Sequence, residues 1–285
     1  MALRKTEGAI LCPNCKRLID ADEPTCPHCG MMRPGLFGFG HWLGWLFGGR
    51  TDLVAGVMIV CVALYGATLA LDVKGIGFAG LLSLLSPSSE ALYTFGMTGG
   101  LAWSSGHYWT VATATFLHGG LIHLGFNMLW LRNLGPTVMK EMGPSRFLVT
   151  FLLTGILGAL IANMYSVWFL NEVPWPSIGA SGGVFGLMGV LLAFGRRRGG
   201  AWGRQLQSQM AMWGLIAGGI GFVMPGVNNA AHVGGFASGI ALGYLMPRFS
   251  GAKESAVVQL VAVALAALTL AGMIASIMLM YPVMF

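Results

Sequence analysis

The chain has 285 residues, of which 55% are hydrophobic and only 9% charged, with a formal net charge of +6. A soluble globular protein carries about a quarter charged residues, so the composition excludes that class and points to an all-α polytopic membrane protein. The basic excess holds no cluster longer than Arg196-Arg197-Arg198, which excludes nucleic acid as a partner.

The first 34 residues read as a separate module. Cys12-Pro-Asn-Cys15 and Cys26-Pro-His-Cys29 are two knuckles with ten residues between them. Each pair supplies two thiolates to one tetrahedral ion, so the expectation is a small zinc ribbon holding a structural Zn on Cys12, Cys15, Cys26 and Cys29. Two disulfides are the rival, and they need an oxidising compartment. The segment lacks the apolar run of a signal peptide, and a piece this small needs a metal staple to fold. With four cysteines present, His28 is not needed as a ligand. Cys61, alone in the first long apolar run, reads as a buried small hydrophobe.

Residues 35–52 alternate glycine with Leu, Phe and Trp and form a juxtamembrane linker, with His41 among aromatics suited to the bilayer interface. Seven apolar runs follow, near Leu53–Leu71, Trp109–Leu134, Phe147–Leu170, Ser181–Gly195, Gln209–Val223, Asn229–Met246 and Val257–Tyr281. The fourth and fifth are short for a span of about twenty residues, which is tolerable where a helix end borders a polar cavity. Residues 72–108 form a long loop expected to dip into the outer leaflet.

Charge orders the topology. Six Lys or Arg precede the first run, four lie in Arg196–Arg204, and Arg248 and Lys253 separate the last two runs. Three more lie at the junction of the second and third runs, and the other side holds only Lys74. Positive charge stays inside, so the N-terminus is expected in the cytoplasm and the C-terminus outside. A cytoplasmic four-cysteine module would keep its thiols reduced for zinc.

The chemistry centres on Ile178 to Gly186, where Ser181 sits among glycines that leave its hydroxyl accessible. Such a serine is a candidate nucleophile if a base activates it. His232 lies in another apolar run, and Gly235 and Gly239 follow on its helical face as Gly182 and Gly186 follow Ser181. Faces of small residues let two helices nearly touch, which would bring serine and histidine within hydrogen-bonding reach. Packing alone would explain the glycines, but it does not require a serine and a histidine beside them. His123 and Asn127, four residues apart, share a helical face. With the Ser181 amide they could serve a developing oxyanion. His118 reads as structural, holding the adjoining loop by hydrogen bonds.

The series HxxxxHxxxN (His118, His123, Asn127), GASG (Gly179–Gly182) and AHxGGxxxG (Ala231–Gly239) resembles the rhomboid intramembrane serine proteases over residues 53 to 246. The resemblance implies a six-helix rhomboid-like bundle with a seventh C-terminal transmembrane helix in residues 247–285. It implies a dyad of Ser181 and His232 with no acidic third member and no catalytic cofactor. His123, Asn127 and the Ser181 amide would form the oxyanion hole, while Trp109, Gly182, Gly235 and Gly239 match family positions that support the structure. Substrates would be single-span membrane proteins cut near the outer face of the lipid bilayer, usually with a small residue at the cut. The expected setting is a prokaryotic plasma (inner) membrane. One departure stands out: the family's Trp-Arg pair in the first loop is Trp109-Thr110 here, which implies lower loop stability or activity.

A rival from another class is a catalytically silent membrane adaptor that binds transmembrane helices and recruits cytosolic proteins through its zinc ribbon. Intact Ser181 and His232 weigh against it. A small-solute transporter would carry acidic groups within its spans, and these are nearly absent.

Overall fold

The computed structural model describes residues 6–12, 17–28, 34–35, 53–78, 80, 83–224, 226–247 and 254–285. Cys15, Cys29, His41, Arg248, Lys253 and nearly all of the 35–52 linker lie outside the described residues.

At the N-terminus, β1 (Ala9–Leu11) and β2 (Leu18–Asp20) pair antiparallel with Ile10 opposite Ile19. The alternation places Ile10 and Ile19 inward with Cys12, Ala21 and Cys26, while Leu11 and Leu18 are exposed.

The helical part begins with α1 (Leu53–Leu71). The long loop after it holds two short helices, α2 (Ser89–Thr94) and α3 (Gly100–Ser104). The run Trp109–Leu134 is not one helix. It divides into α4 (Thr110–Thr113), a tight turn at Ala114–Phe116, and α5 (Leu121–Met142). The break falls at His118-Gly119-Gly120, where glycine's poor helix propensity lets the chain leave the helix. The remaining helices are α6 (Pro144–Tyr165, extended by one wide turn at Ser166–Leu170), α7 (Ser181–Arg198), α8 (Gly200–Val223), α9 (Asn229–Leu245) and α10 (Ala256–Met284). The fifth apolar run, expected to be short, is thus a helix of 24 residues. Its first half holds Gln and Arg, which lower hydropathy without opposing helix formation.

Among the described residues, three helices are long and apolar enough to cross a membrane by themselves: Leu53–Leu71, Pro144–Leu170 and Ala256–Met284. The others carry charge, glycine or amide groups, and one of them is almost wholly enclosed by its neighbours. The extreme case is α7, with thirteen of its eighteen residues buried and α6, α8 and α9 packed around it. The main core, with Phe147, Phe151, Leu187, Met188 and Phe194, gathers where α5, α6 and α7 meet.

The contact between α7 and α9 is made by backbone. A Cβ on Gly235 would collide with the carbonyl of Gly182, and one on Gly239 with that of Gly186. Close backbone approach of this kind is what glycine faces permit between membrane helices. Gly239→Leu is therefore expected to separate α7 from α9 and cost at least about 2 kcal/mol, read as a clear fall in thermal midpoint in detergent. Gly219→Leu, at a glycine on α8 with open space beside it, should leave the midpoint unchanged.

Candidate active site

Ser181 opens α7. The chain reaches it through Gly179, whose φ of +128° lies where a side chain would be strained. The Gly179 N–H donates to the Ala114 carbonyl at 2.9 Å, and Val184 N–H closes the first helical turn onto Ala180. His232 lies in the first turn of α9, which is capped by the Asn228 side chain accepting from Ala231 N–H at 3.1 Å. With the two helices in backbone contact, His232 Nε2 and Ser181 Oγ stand 2.9 Å apart. The other ring nitrogen, Nδ1, is buried and meets no hydrogen-bond partner among the described residues. Among the described residues no carboxylate reaches that nitrogen. With the proton on Nδ1, Nε2 is the acceptor, and it can take the serine's proton.

The His232 ring is held by a residue that sequence reasoning missed. Phe185 stacks on it with centroids 4.3 Å apart and planes 14° from parallel. The available signal was spacing, because Phe185 is one helical turn beyond Ser181 and so shares its face.

His123 and Asn127 lie on α5 and line the same cavity, of about 590 Å³, as Ser181 and His232. The Gly119 amide donates to His123 Nδ1 at 3.3 Å, which leaves the ring proton on Nε2. A Cβ on Gly179 would lie 2.7 Å from His123 Nε2 and 3.7 Å from Ser181 Oγ. Both atoms thus face the space that this glycine leaves vacant. Asn127 Nδ2 donates one hydrogen to the His123 carbonyl at 2.9 Å, and its second remains for a ligand in the cavity. His118 is fully buried with its ring 5.1 Å from that of His123. Its imidazole lies against the Phe116 backbone in the turn that leads into α5.

Trp109 and Thr110 belong to the first loop. Trp109 Nε1 donates to Ser276 on α10 at 3.0 Å. Thr110 is 1% exposed, and its hydroxyl meets the His107 carbonyl at 2.7 Å and Thr98 Oγ1 at 3.2 Å. Asn163 on α6 donates to the same Thr98 oxygen at 3.1 Å. The position that departs from the Trp-Arg pair is thus inside a buried hydrogen-bond chain.

A Rhomboid domain model matches residues 105–249, just over half of the chain. The chain belongs to the rhomboid family. Rhomboid proteins are integral membrane proteins and generally intramembrane serine proteases, though inactive members exist. Relatives include rhomboid protease GluP of Bacillus subtilis, 32% identical over 63% of this chain and 35% of its own length. RHOMBOID-like protein 4 of Arabidopsis thaliana is 31% identical over 74% of this chain and 55% of its own. Inactive RHOMBOID-like protein 8 of the same plant is 31% identical over 54% and 43%. The chain thus spans between about a third and just over half of these relatives' lengths.

A zinc-ribbon domain model matches residues 10–32. Cys12 and Cys26, one from each knuckle, converge in the same buried cluster, and the Cys12 N–H closes the first knuckle onto the Arg17 carbonyl at 2.9 Å. That convergence fits a shared ion whose other ligands would be Cys15 and Cys29.

Two outcomes follow. Phe185→Ala should slow acylation of Ser181 by a fluorophosphonate about three- to tenfold, the worth of one aromatic stack, whereas Phe185→Tyr retains it. Cys12→Ser should release bound zinc, read by metal analysis of the purified protein, and melt the β1–β2 hairpin while Ser181 stays reactive.

Proposed function

We propose that this rhomboid protein is a serine endopeptidase that cuts membrane-spanning segments near the outer face of the membrane. The observation that carries the reading is the 2.9 Å contact between Ser181 Oγ and His232 Nε2 inside a shared cavity. Ser181 Oγ attacks the scissile carbonyl carbon as His232 Nε2 takes its proton, and the carbonyl oxygen becomes an oxyanion. His123 Nε2–H, the free Asn127 amide hydrogen and the Ser181 backbone N–H at the α7 N-terminus are the donors for that charge. The C–N bond then breaks, His232 gives its proton to the leaving amine, and an acyl-enzyme remains. Water attacks the ester with His232 again as base, releasing the second product and restoring Ser181.

The cavity supplies both water and room. It shares Phe126, Trp130 and Trp213 with an apolar groove of about 530 Å³ between α5 and α8. There the Trp130 and Trp213 rings meet edge-on at 5.3 Å. A single-span substrate helix would enter from the bilayer along that groove and unwind into the cavity.

In this reading, residues 53–246 are the catalytic membrane domain, joined by 35–52 to a cytosolic zinc ribbon at 1–34. Residues 247–285 add the linker and the extra transmembrane helix. The uneven distribution of lysine and arginine supports an N-terminus inside and a cut site outside. The ribbon is structural and offers a docking face for a cytosolic protein.

Cleavage of a single-span substrate in proteoliposomes should fall about a thousandfold or more in both Ser181→Ala and His232→Ala. Full cleavage by Ser181→Ala would sink the assignment. A folded wild type that neither cleaves nor reacts with fluorophosphonate would indicate a silent adaptor.

A further inference from the structure

The long C-terminal helix α10 lies outside the residues that line the candidate site, yet it and the residue just before its cap are held closely against α4 and α6. Three contacts define this. Just before its N-terminus, the Glu254 carboxylate accepts from the backbone N–H of Arg146 at 2.9 Å and so caps the start of α6. Midway along, Gly272 has no side chain, and a Cβ there would sit 3.1 Å from Trp109 Cδ1 and 3.3 Å from Thr113 Cγ2. One turn on, the hydroxyl of Ser276, 0% exposed, accepts from Trp109 Nε1 at 3.0 Å and donates to the Gly272 carbonyl at 2.9 Å. The helix therefore grips α4 through Trp109 and Thr113, and the Thr113 hydroxyl in turn donates to the Gly96 carbonyl at 2.6 Å.

What α4 holds on its other side gives this grip a consequence. Ala114, the next residue, accepts from Gly179 N–H at 2.9 Å. Thr98 pairs with Ser177 in both directions, Thr98 N to Ser177 O at 3.2 Å and Ser177 N to Thr98 O at 2.8 Å. Thr98 is itself held by Thr110 and Asn163. Both backbone attachments thus fall on the four residues leading into Ser181, and one of them fixes the glycine whose vacant side His123 Nε2 and Ser181 Oγ share. The connection runs from Ser276 through Trp109 and the turn at Ala114 to Gly179, with a hydrogen bond at each non-covalent step.

We propose that α10 positions the active site, with Ser276 as the positioning residue that sets the Gly179–Ser181 backbone through Trp109 and α4. Ser276 does not touch the reacting atoms. Its removal loosens the peptide that carries the serine and its amide, and so lowers the rate of acylation rather than the affinity for the acylating reagent. The effect on rate rests on Ser181 being the nucleophile; the effect on the backbone does not.

The test uses the full-length protein in nanodiscs and compares wild type, Ser276→Ala, Trp109→Phe and the double variant. Two quantities are measured: amide hydrogen exchange of segments 177–183 and 256–284, and the dependence of Ser181 acylation on fluorophosphonate concentration. The expected result for either single variant is exchange at Gly179 faster by about five- to tenfold and a maximal acylation rate lower by a similar factor, the worth of one buried hydrogen bond. The half-saturating reagent concentration should not move. The double variant should be no worse than either single one, because both remove the same bond. Faster exchange confined to 256–284, or an unchanged maximal rate in a variant that merely melts earlier, would overturn the inference. If Ser276→Ala does not fold, Trp109→Phe alone decides. A wild type that is not acylated defeats the protease reading, and exchange at Gly179 then decides whether α10 positions this backbone.

Discussion

Everything at the candidate site depends on two helices meeting without side chains between them. Lipid tails are as apolar as leucine, so helices in a bilayer are held by close van der Waals contact rather than by escape from water. Gly182 and Gly186 on α7, against Gly235 and Gly239 on α9, keep Cβ atoms out of the closest approach and let carbonyls lie where side chains would stand. The same spacing fixes the relation of Ser181 to His232, each one turn or less from its glycine. A methyl group at that seam would part the hydroxyl from the imidazole before it altered either one.

Polar groups in such a protein have to be answered internally, because no water waits in the hydrocarbon region. The described residues show both outcomes. Thr110 and Asn163 both donate to Thr98 under the first loop, and Ser276 satisfies Trp109. Around the cavity the balance is deliberately incomplete. His232 Nδ1 has no partner, and His123 Nε2–H and an Asn127 hydrogen point to an open volume. Unanswered donors at depth are costly, and a cavity that admits water or a substrate carbonyl is where that cost can be offset.

Family membership narrows the chemistry without deciding it, since the relatives include both named proteases and an inactive protein at closely similar identity. The distinction lies in a few atoms rather than in overall likeness. A serine oxygen and an imidazole nitrogen at hydrogen-bonding distance can carry out acyl transfer. The same helices with either group missing could only bind. The first loop illustrates the point from another side: threonine stands where the resemblance leads to arginine, and it is absorbed into a short-range hydrogen-bond chain rather than leaving a gap.

The sequence by itself determined the membrane class, the bounds of α1, the start of α7 at Ser181 and nearly the whole of α10, because apolar runs and glycine punctuation are local properties of the chain. It also offered Ser181, His232, His123 and Asn127 as groups worth bringing together, since helical periodicity shows which residues share a face. It placed α5 and α8 poorly, as hydropathy averages across a glycine break in one and mistakes glutamine for an ending in the other. Phe185 was within reach of the same periodicity. Only the tertiary structure decided that His123 Nε2 and Ser181 Oγ face one space, since that space is what Gly179 leaves vacant far along the chain from His123. Only it could join Ser276 to Trp109, 167 residues apart in the chain. No local pattern encodes a hydrogen bond between a lone tryptophan and a lone serine; it exists because packing α10 against α4 leaves both groups with nowhere else to turn.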